Sequence, residues 1–219
     1  MGGSKAHIRT WEFNASRVVR LLYSTDHEAT DHKVISMPGM CKTLVKMTKT
    51  RLDALKKKKN SVIKFLKNDM ADLIRTDLAY NAFCRAEGLL VEQNMTTCYN
   101  FIEQFCGCVS SNLSLMNKKK DCPEECNEAV QSLIYAAARF SEFPELRDLR
   151  SAFIDRYGPP LESFVNKEFV EMLKPKSTTK EMKLQLMHDI AQEFSIEWNS
   201  KSLEQKLFKP PPQQVSFLY

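Results

Sequence analysis

The sequence predicts an all-α fold in which a long antiparallel helical hairpin carries three or more shorter helices. Residues 41–74 contain neither proline nor glycine, so nothing in that stretch interrupts a helix. Apolar side chains in residues 41–74 and 77–115 recur at the three- and four-residue spacing of amphipathic helices. No stretch shows the alternation of a half-buried strand. Two such helices with a minimal connection must fold back on each other to bury their apolar stripes.

The chain divides into three parts. Residues 1–40 lack strong periodicity and end at Met37-Pro38-Gly39, which predicts a loosely ordered N-terminal arm that stops before the first long helix. Residues 41–200 form the predicted helical domain. Residues 201–219 combine a short amphipathic helix with three consecutive prolines, a composition typical of an extended tail.

Each long helix has a continuous apolar stripe. The stripe of residues 41–74 is interrupted at Lys59, and its members are Leu44, Thr48, Leu52, Leu55, Val62, Leu66, Met70 and Leu73. The stripe of residues 77–115 consists of Ala79, Ala82, Phe83, Ala86 and Leu90, then Cys98, Phe101, Ile102, Phe105 and Val109.

Start and stop signals divide the remainder into shorter helices. Asp121-x-x-Glu124 has the pattern of a capping box that opens a helix running to about residue 140, with Val130, Leu133, Ile134 and Ala137 inward. Ser141 and Pro144 predict a second helix that ends at Gly158. Residues 164–173 are predicted to be helical as well. A box at Thr178-x-x-Glu181 then opens a helix whose inward residues are Met182, Leu186, Met187, Ile190 and Phe194.

Positive charge is concentrated in one segment. The formal net charge is +5, but residues 42–67 contain ten Lys or Arg and one acid. Lysines that leave the apolar stripe form a cationic face, which fits either an anionic membrane surface or an acidic partner protein. The residues of this face are Lys42, Lys46, Lys49, Lys56, Lys57 and Lys59.

No pattern of catalytic or cofactor chemistry is present. The six glycines build neither a phosphate loop nor a dinucleotide fingerprint, so we expect no enzyme activity and no cofactor. Seven cysteines without a secretory signal indicate reduced thiols in a cytoplasmic protein. Cys106 and Cys108 diverge on a helix, and no second pair is expected near Cys122 and Cys126, so we expect no metal site.

An ordered series of motifs gives the sequence a family resemblance. In chain order these motifs are Arg51-Leu52-x-x-Leu55-Lys56, Arg85-x-Glu87, Glu92-Gln93-Asn94-Met95, Phe101-Ile102-Glu103, the run from Pro123 through Tyr135 to Arg139, Pro144-Glu145-Leu146 with Arg150, Tyr157-Gly158, and Ile190-Ala191-x-Glu193-Phe194. Across residues 41–200 the chain resembles the increased-sodium-tolerance family, and its Gln93-Asn94 pair resembles the plant branch. This family is related to ESCRT-III subunits and regulates the AAA ATPase of multivesicular-body formation.

The resemblance implies an ESCRT-III-like helical bundle that acts in endosomal sorting. It implies charged multivesicular body proteins as partners, stacking with related subunits into a polymer, a peripheral location on endosomes, and modulation of ATPase recruitment. The matching residues expected to serve the fold or its partners are Arg85, Glu87, Tyr135, Arg139, Pro144, Glu145, Leu146 and Arg150.

The sequence departs from the family pattern in three places. The glycine expected between the long helices is replaced around Thr76-Asp77, and Pro159-Pro160 stands where a helix continues in the family. The tail after Trp198 is short and lacks the Leu-x-x-Arg-Leu-x-x-Leu-Lys type of motif that binds MIT domains. Direct ATPase binding is therefore in doubt, and a truncated paralogue unable to recruit the ATPase is one alternative.

A nucleic-acid-binding helical module is the other alternative. Lys56 to Lys59 and Lys118 to Lys120 would contact phosphates in that case. The lysines have no aromatic side chains among them and no reading motif, so we expect no nucleic-acid partner.

Overall fold

The computed structural model describes residues 37–174 and 177–208, and these residues form seven α-helices with no strand. The helices are α1 (Met37–Arg75), α2 (Ala79–Lys118), α3 (Glu124–Ala137), α4 (Pro144–Tyr157), α5 (Lys167–Leu173), α6 (Lys180–Glu193) and α7 (Lys201–Phe208), with a short 3-10 helix at Glu162–Phe164 before α5. The predicted fold class is confirmed. Most of the predicted N-terminal arm and the proline-rich tail lie outside the described residues.

Helix α1 begins earlier than the sequence predicts. The break expected at Met37-Pro38-Gly39 is wrong, because the helix already starts at Met37. Proline is tolerated in a first helical turn, where its missing N–H has no intrahelical partner in any case. Thr43 then donates its hydroxyl to the carbonyl of Gly39 at 3.0 Å. Within the described ranges, no helix is long and apolar enough to cross a bilayer.

Two compact units make up the described chain. The first unit comprises residues 37–56 and Thr97–Lys174, and the second comprises Lys57–Thr96 and the described residues from 177 onward. Helices α1 and α2 therefore contribute residues to both units, α3 to α5 belong to the first, and α6 and α7 belong to the second.

The core of the first unit is aromatic. Phe143 and Phe169 are fully buried, and the ring of Tyr99 meets that of Phe143 edge-on with centroids 5.5 Å apart. Burying each phenylalanine side chain adds about 2 kcal/mol to the free energy of unfolding. The edge-to-face contact of the rings adds a further, smaller stabilisation. The predicted inner face of α3 is confirmed, because its four predicted members are buried: Val130, Leu133, Ile134 and Ala137.

An ion pair in the first unit joins α1 to α4. Arg51 donates from Nε to both carboxylate oxygens of Glu145, at 3.1 and 3.0 Å, and from Nη2 at 2.7 Å. Glu145 is 1% exposed, and this guanidinium compensates its buried carboxylate. Removal of one partner would leave a buried charge uncompensated. The family-motif residue Glu145 is therefore a structural residue in this chain.

The second unit is closed by a helix-ending turn between α1 and α2. Asp77 has φ of 60°, and the amide of Leu78 donates to the carbonyl of Leu73 at 2.8 Å. Together with the bond from the Asp77 amide to Ile74, this is a Schellman motif, whose C′ residue must be left-handed. Aspartate tolerates this conformation better than most residues. Asp77 thus occupies the position at which the family resemblance implies a glycine.

Three predicted capping residues are displaced. Asp121 does not cap α3, because Pro123 holds the N-cap position and forces the preceding residue into an extended conformation. Ser141 does not cap α4, whose N-cap is Phe143. Thr179, not Thr178, caps α6 by accepting the Met182 amide at 3.2 Å. Each helix still starts within about three residues of its predicted position.

Two residues predicted to be buried are exposed. Val62 is 37% exposed, while its neighbour Ile63 packs against the core of the second unit. The packed seam of α1 in the second unit therefore includes Lys59 and Ile63 and not Val62. Met182 is 41% exposed although Leu186, Met187 and Ile190 of the same helix are buried.

Gly158 supports a stability prediction. It ends α4 with φ of 86° and ψ of −170°, a conformation nearly restricted to glycine, and a Cβ there would contact nothing within 4 Å. G158A should lower the free energy of unfolding by about 1–3 kcal/mol through backbone strain alone. Urea denaturation measures this free energy. G88A is the matched control, because Gly88 lies inside α2 with open space around it. This variant should raise the free energy of unfolding by about 0.5–1 kcal/mol.

The Arg51–Glu145 pair supports a second prediction. E145Q should destabilise the protein by about 2 kcal/mol, because a neutral amide replaces the buried carboxylate that accepts from Arg51. The double substitution R51M/E145M removes both charged groups and should recover most of that loss. Equal stability of E145Q and the unsubstituted chain in urea denaturation would contradict a structural role for this pair.

Candidate functional site

The predicted cationic face is divided by the packing of α1 against α2. Lys56 Nζ lies 2.8 Å from Glu103 in the first unit, and Lys59 Nζ lies 2.7 Å from Glu92 in the second. All four side chains are at least half-buried. The expectation that Lys56 and Lys59 present a solvated face is therefore wrong. Glu92 and Glu103 instead form ion pairs between α1 and α2 with these two lysines.

The other predicted lysines remain near solvent. Lys42 and Lys46 are exposed in the first unit and Lys49 is half-buried, while Lys57 is exposed in the second. Lys58 and Lys64 of the second unit are exposed as well.

An aromatic side chain lies among the exposed lysines of the second unit. Phe65 is 68% exposed on α1, and Lys58, Val62 and Phe65 share one helix face by their spacing. We name this surface the Phe65 patch and define it as Lys57, Lys58, Val62, Lys64 and Phe65. It combines three cations with exposed apolar area.

A groove runs over α6 in the second unit. We call it the α6 groove; its volume is about 390 Å³, and its apolar lining comprises Leu90, Met182, Leu186 and Ile190. Its polar rim includes Lys67 and Glu193, which form an ion pair at 2.6 Å. Asp189, also on the rim, accepts a hydrogen bond from Gln185 at 2.9 Å. Met182 is exposed because its side chain lines this groove instead of the core.

The Arg85-x-Glu87 motif divides its charges between two partners. Arg85 pairs with Asp69 of α1, and Glu87 pairs with Lys183 of α6 at 2.7 Å. Residues two apart on a helix point in different directions, so this division is the one their spacing predicts. Both pairs hold α1, α2 and α6 together within the second unit.

The remaining residues that the resemblance expects to serve the fold or its partners belong to the first unit. The guanidinium of Arg139 lies 3.2 Å from the centroid of the Tyr135 ring and donates to the Tyr135 carbonyl at 3.0 Å. Pro144 opens α4, and Leu146 is fully buried. Arg139 and Arg150 are exposed, so these two of the predicted partner residues are accessible.

Three buried cysteines have a raised pKa and are protonated at neutral pH. Burial raises the pKa of Cys41 to about 11 and that of Cys106 to about 12. Burial also raises the pKa of Cys126 to about 12, with a further contribution from a hydrogen bond with Cys108. Protonated thiols are poor nucleophiles and poor metal ligands. They fill the core as small apolar residues.

One further thiol, that of Cys108, lies near Cys122 and Cys126. It is a single thiol and not a second cysteine pair. In residues 37–174 and 177–208, however, no group of three or more His, Cys, Asp or Glu is placed to hold a metal ion.

Sequence reasoning missed the α6 groove and the Phe65 patch. The groove is built from three helices that are distant in sequence, so no local spacing reveals it. The patch did have a signal, because Phe65 is an aromatic residue outside the predicted apolar stripe of α1. Such a residue, flanked by lysines, indicates an exposed contact surface.

Comparison with known proteins places the chain in a family. Residues 42–197 match the family model described as Ist1, regulator of Vps4 activity in the MVB pathway. An IST1-like protein of Dictyostelium discoideum is 25% identical over 182 residues, which cover 80% of this chain and 48% of the relative. The chain therefore spans about half the length of that relative.

A solved structure shares the fold. The N-terminal domain of S. cerevisiae Ist1, crystallised in complex with a Did2 MIM motif, superposes with a TM-score of 0.66 at 21% identity. The match covers 81% of this chain and 99% of the yeast domain. The order of motifs, the all-helical architecture and the matched length agree, and the chain belongs to the Ist1 family of regulators of Vps4 activity in the MVB pathway.

Proposed function

We propose that this chain regulates ESCRT-III by holding a MIM-type helical motif of an ESCRT-III subunit in the α6 groove. It acts by binding and not by catalysis. The observation that carries the proposal is the groove itself, which is lined by four apolar and five polar residues and whose Met182 is 41% exposed. The yeast relative, whose domain was crystallised with a Did2 MIM motif, supports the choice of ligand.

The chemistry of the groove suits an amphipathic helix. Met182 and Leu90 supply accessible apolar surface for leucines that recur every three or four residues, and the buried side chains of Leu186 and Ile190 lie behind them. Lys67 neutralises Glu193, whereas Asp189 adds a carboxylate that complements a basic side chain of the ligand. Leucines on one face and basic residues beside them are the features of the Leu-x-x-Arg-Leu-x-x-Leu-Lys type of motif.

This binding explains an effect on Vps4 without a direct contact. In the family that the sequence resembles, the same type of motif binds MIT domains. A motif held in the α6 groove is not available to another receptor, so occupancy of the groove lowers recruitment of the ATPase by that subunit.

We further propose that the Phe65 patch contacts an anionic membrane, with the protein peripheral on endosomes. Each lysine close to an anionic leaflet contributes on the order of 1 kcal/mol to the free energy of membrane binding. An aromatic ring at the same surface adds apolar area that enters the interface between headgroups and acyl chains. The exposure of Phe65, at 68%, supports lipid over an acidic neighbouring subunit, because charge pairing alone does not require an exposed ring.

The α6 groove is tested by peptide binding. M182D should weaken the affinity for a synthetic Leu-x-x-Arg-Leu-x-x-Leu-Lys peptide at least about tenfold, because a carboxylate in the groove must be desolvated against leucine side chains. Fluorescence anisotropy measures this affinity.

The control for the groove is V91D. Val91 is 55% exposed on α2 of the same unit and does not line the groove. The affinity of V91D for the peptide should stay within about twofold of that of the unsubstituted chain. Equal losses in the two variants, or no binding by the unsubstituted chain, would show that the groove is not the binding site.

The Phe65 patch is tested by sedimentation with liposomes. K57E/K58E should reduce sedimentation with phosphatidylserine vesicles at low salt, and rising salt should weaken binding of the unsubstituted chain. K201E/K206E changes the charge equally at exposed positions of the same unit and should bind normally. If both variants lose binding equally, net charge rather than the patch is responsible.

A further inference from the structure

A basic cavity lies in the first unit, among the ends of three helices. Its volume is about 660 Å³, and it is lined by residues at the start of α1, the end of α2 and the last turn of α4. The lining residues are Met40, Asn117, Lys118, Lys119, Lys120, Ala152, Asp155 and Arg156. Four of them are cations and one is a carboxylate, so the cavity is positively charged at neutral pH.

Arg156 organises this cavity. Its Nη2 donates to the backbone carbonyls of Met116 at 3.1 Å, Asn117 at 3.4 Å and Lys119 at 2.9 Å. These carbonyls form the negative end of α2, which would otherwise repel an anion. The guanidinium neutralises that end and fixes the backbone that carries the three lysines. The side chains of Lys118, Lys119 and Lys120 are exposed.

We propose that this cavity binds a compact ligand carrying several phosphomonoesters, such as an inositol polyphosphate or the headgroup of a phosphoinositide. The volume lies in the range of small-molecule sites and exceeds what a single phosphate ion fills. Each phosphomonoester carries about −1.5 to −2 charges at neutral pH, and several of them match a cluster of lysines. The site is independent of the α6 groove and does not rest on the proposed function.

Other anions fit this cavity less well. Among the described residues its apolar lining consists of Met40 and Ala152, which offer little surface to an amphipathic peptide, in contrast to the α6 groove. None of its described lining residues is aromatic, so these residues offer nucleic-acid bases no stacking partner. Asp155 at the rim, with Asp121 next to Lys120 in sequence, disfavours an extended polyanion over a compact one.

Calorimetric titration of the full chain with inositol hexakisphosphate tests the proposal at near-physiological salt. The unsubstituted chain should bind, and K119A/K120A should bind at least about tenfold more weakly. R147A/R150A is the matched control. It removes two exposed cations from α4 of the same unit, outside the cavity. Its affinity for inositol hexakisphosphate should stay within about twofold of that of the unsubstituted chain.

Two further arms identify the source of the phosphomonoesters. Preferential sedimentation with vesicles containing phosphatidylinositol bisphosphate, compared with phosphatidylserine vesicles of equal charge, would assign the site to a lipid headgroup, and binding of the soluble ligand alone would assign it to a free inositol phosphate. The proposal is overturned if neither probe binds, if both double variants lose affinity equally, or if single-stranded RNA at equal phosphate concentration displaces the hexakisphosphate.

Discussion

The pairing of lysines on α1 with glutamates on α2 is the constraint on which this structure depends. Lys59 lies on the seam of the second unit, and an oxygen of Glu92 that is buried from solvent depends on its charge. Lys56 and Glu103 form the equivalent pair in the first unit. A partly buried carboxylate is stabilised by a neighbouring cation, so these pairs help to select which face of α1 turns toward α2 within each unit. The apolar stripe alone leaves that choice less sharply defined, because it is interrupted at Lys59.

Once the seam is set, helix geometry decides which surfaces remain for partners. Lys57 and Lys58 neighbour the paired lysines in sequence but point elsewhere, and with Lys64 and Phe65 they form an exposed patch. The same rule applies on α6, where Leu186 and Ile190 face the core and Met182 is left to line a groove. The proposed membrane contact and the proposed partner site therefore follow from the residues that packing leaves exposed.

Most of the fold could be predicted from the sequence, whereas most of the surface could not. Helix periodicity and turn residues predicted the hairpin, the buried face of α3 and the end of α4 at Gly158. Local patterns failed where the outcome depends on another helix. Ten cations in one segment indicate a basic face, but only the positions of Glu92 and Glu103 show that Lys56 and Lys59 are not part of it. The observed N-cap residues lie one or two positions after the predicted ones. Near Pro123 and at the adjacent threonines, the local sequence is compatible with more than one helix start.

A charge-swap cycle on Lys59 and Glu92 tests the seam most directly. Chemical denaturation of K59E, E92K and K59E/E92K gives the coupling free energy between the two positions. Each single substitution should destabilise the protein, and the swapped pair should recover about 1 kcal/mol or more of the summed loss. A double variant whose destabilisation equals the sum of the two single losses would contradict this expectation, because Lys59 and Glu92 would then contribute independently and not as a pair.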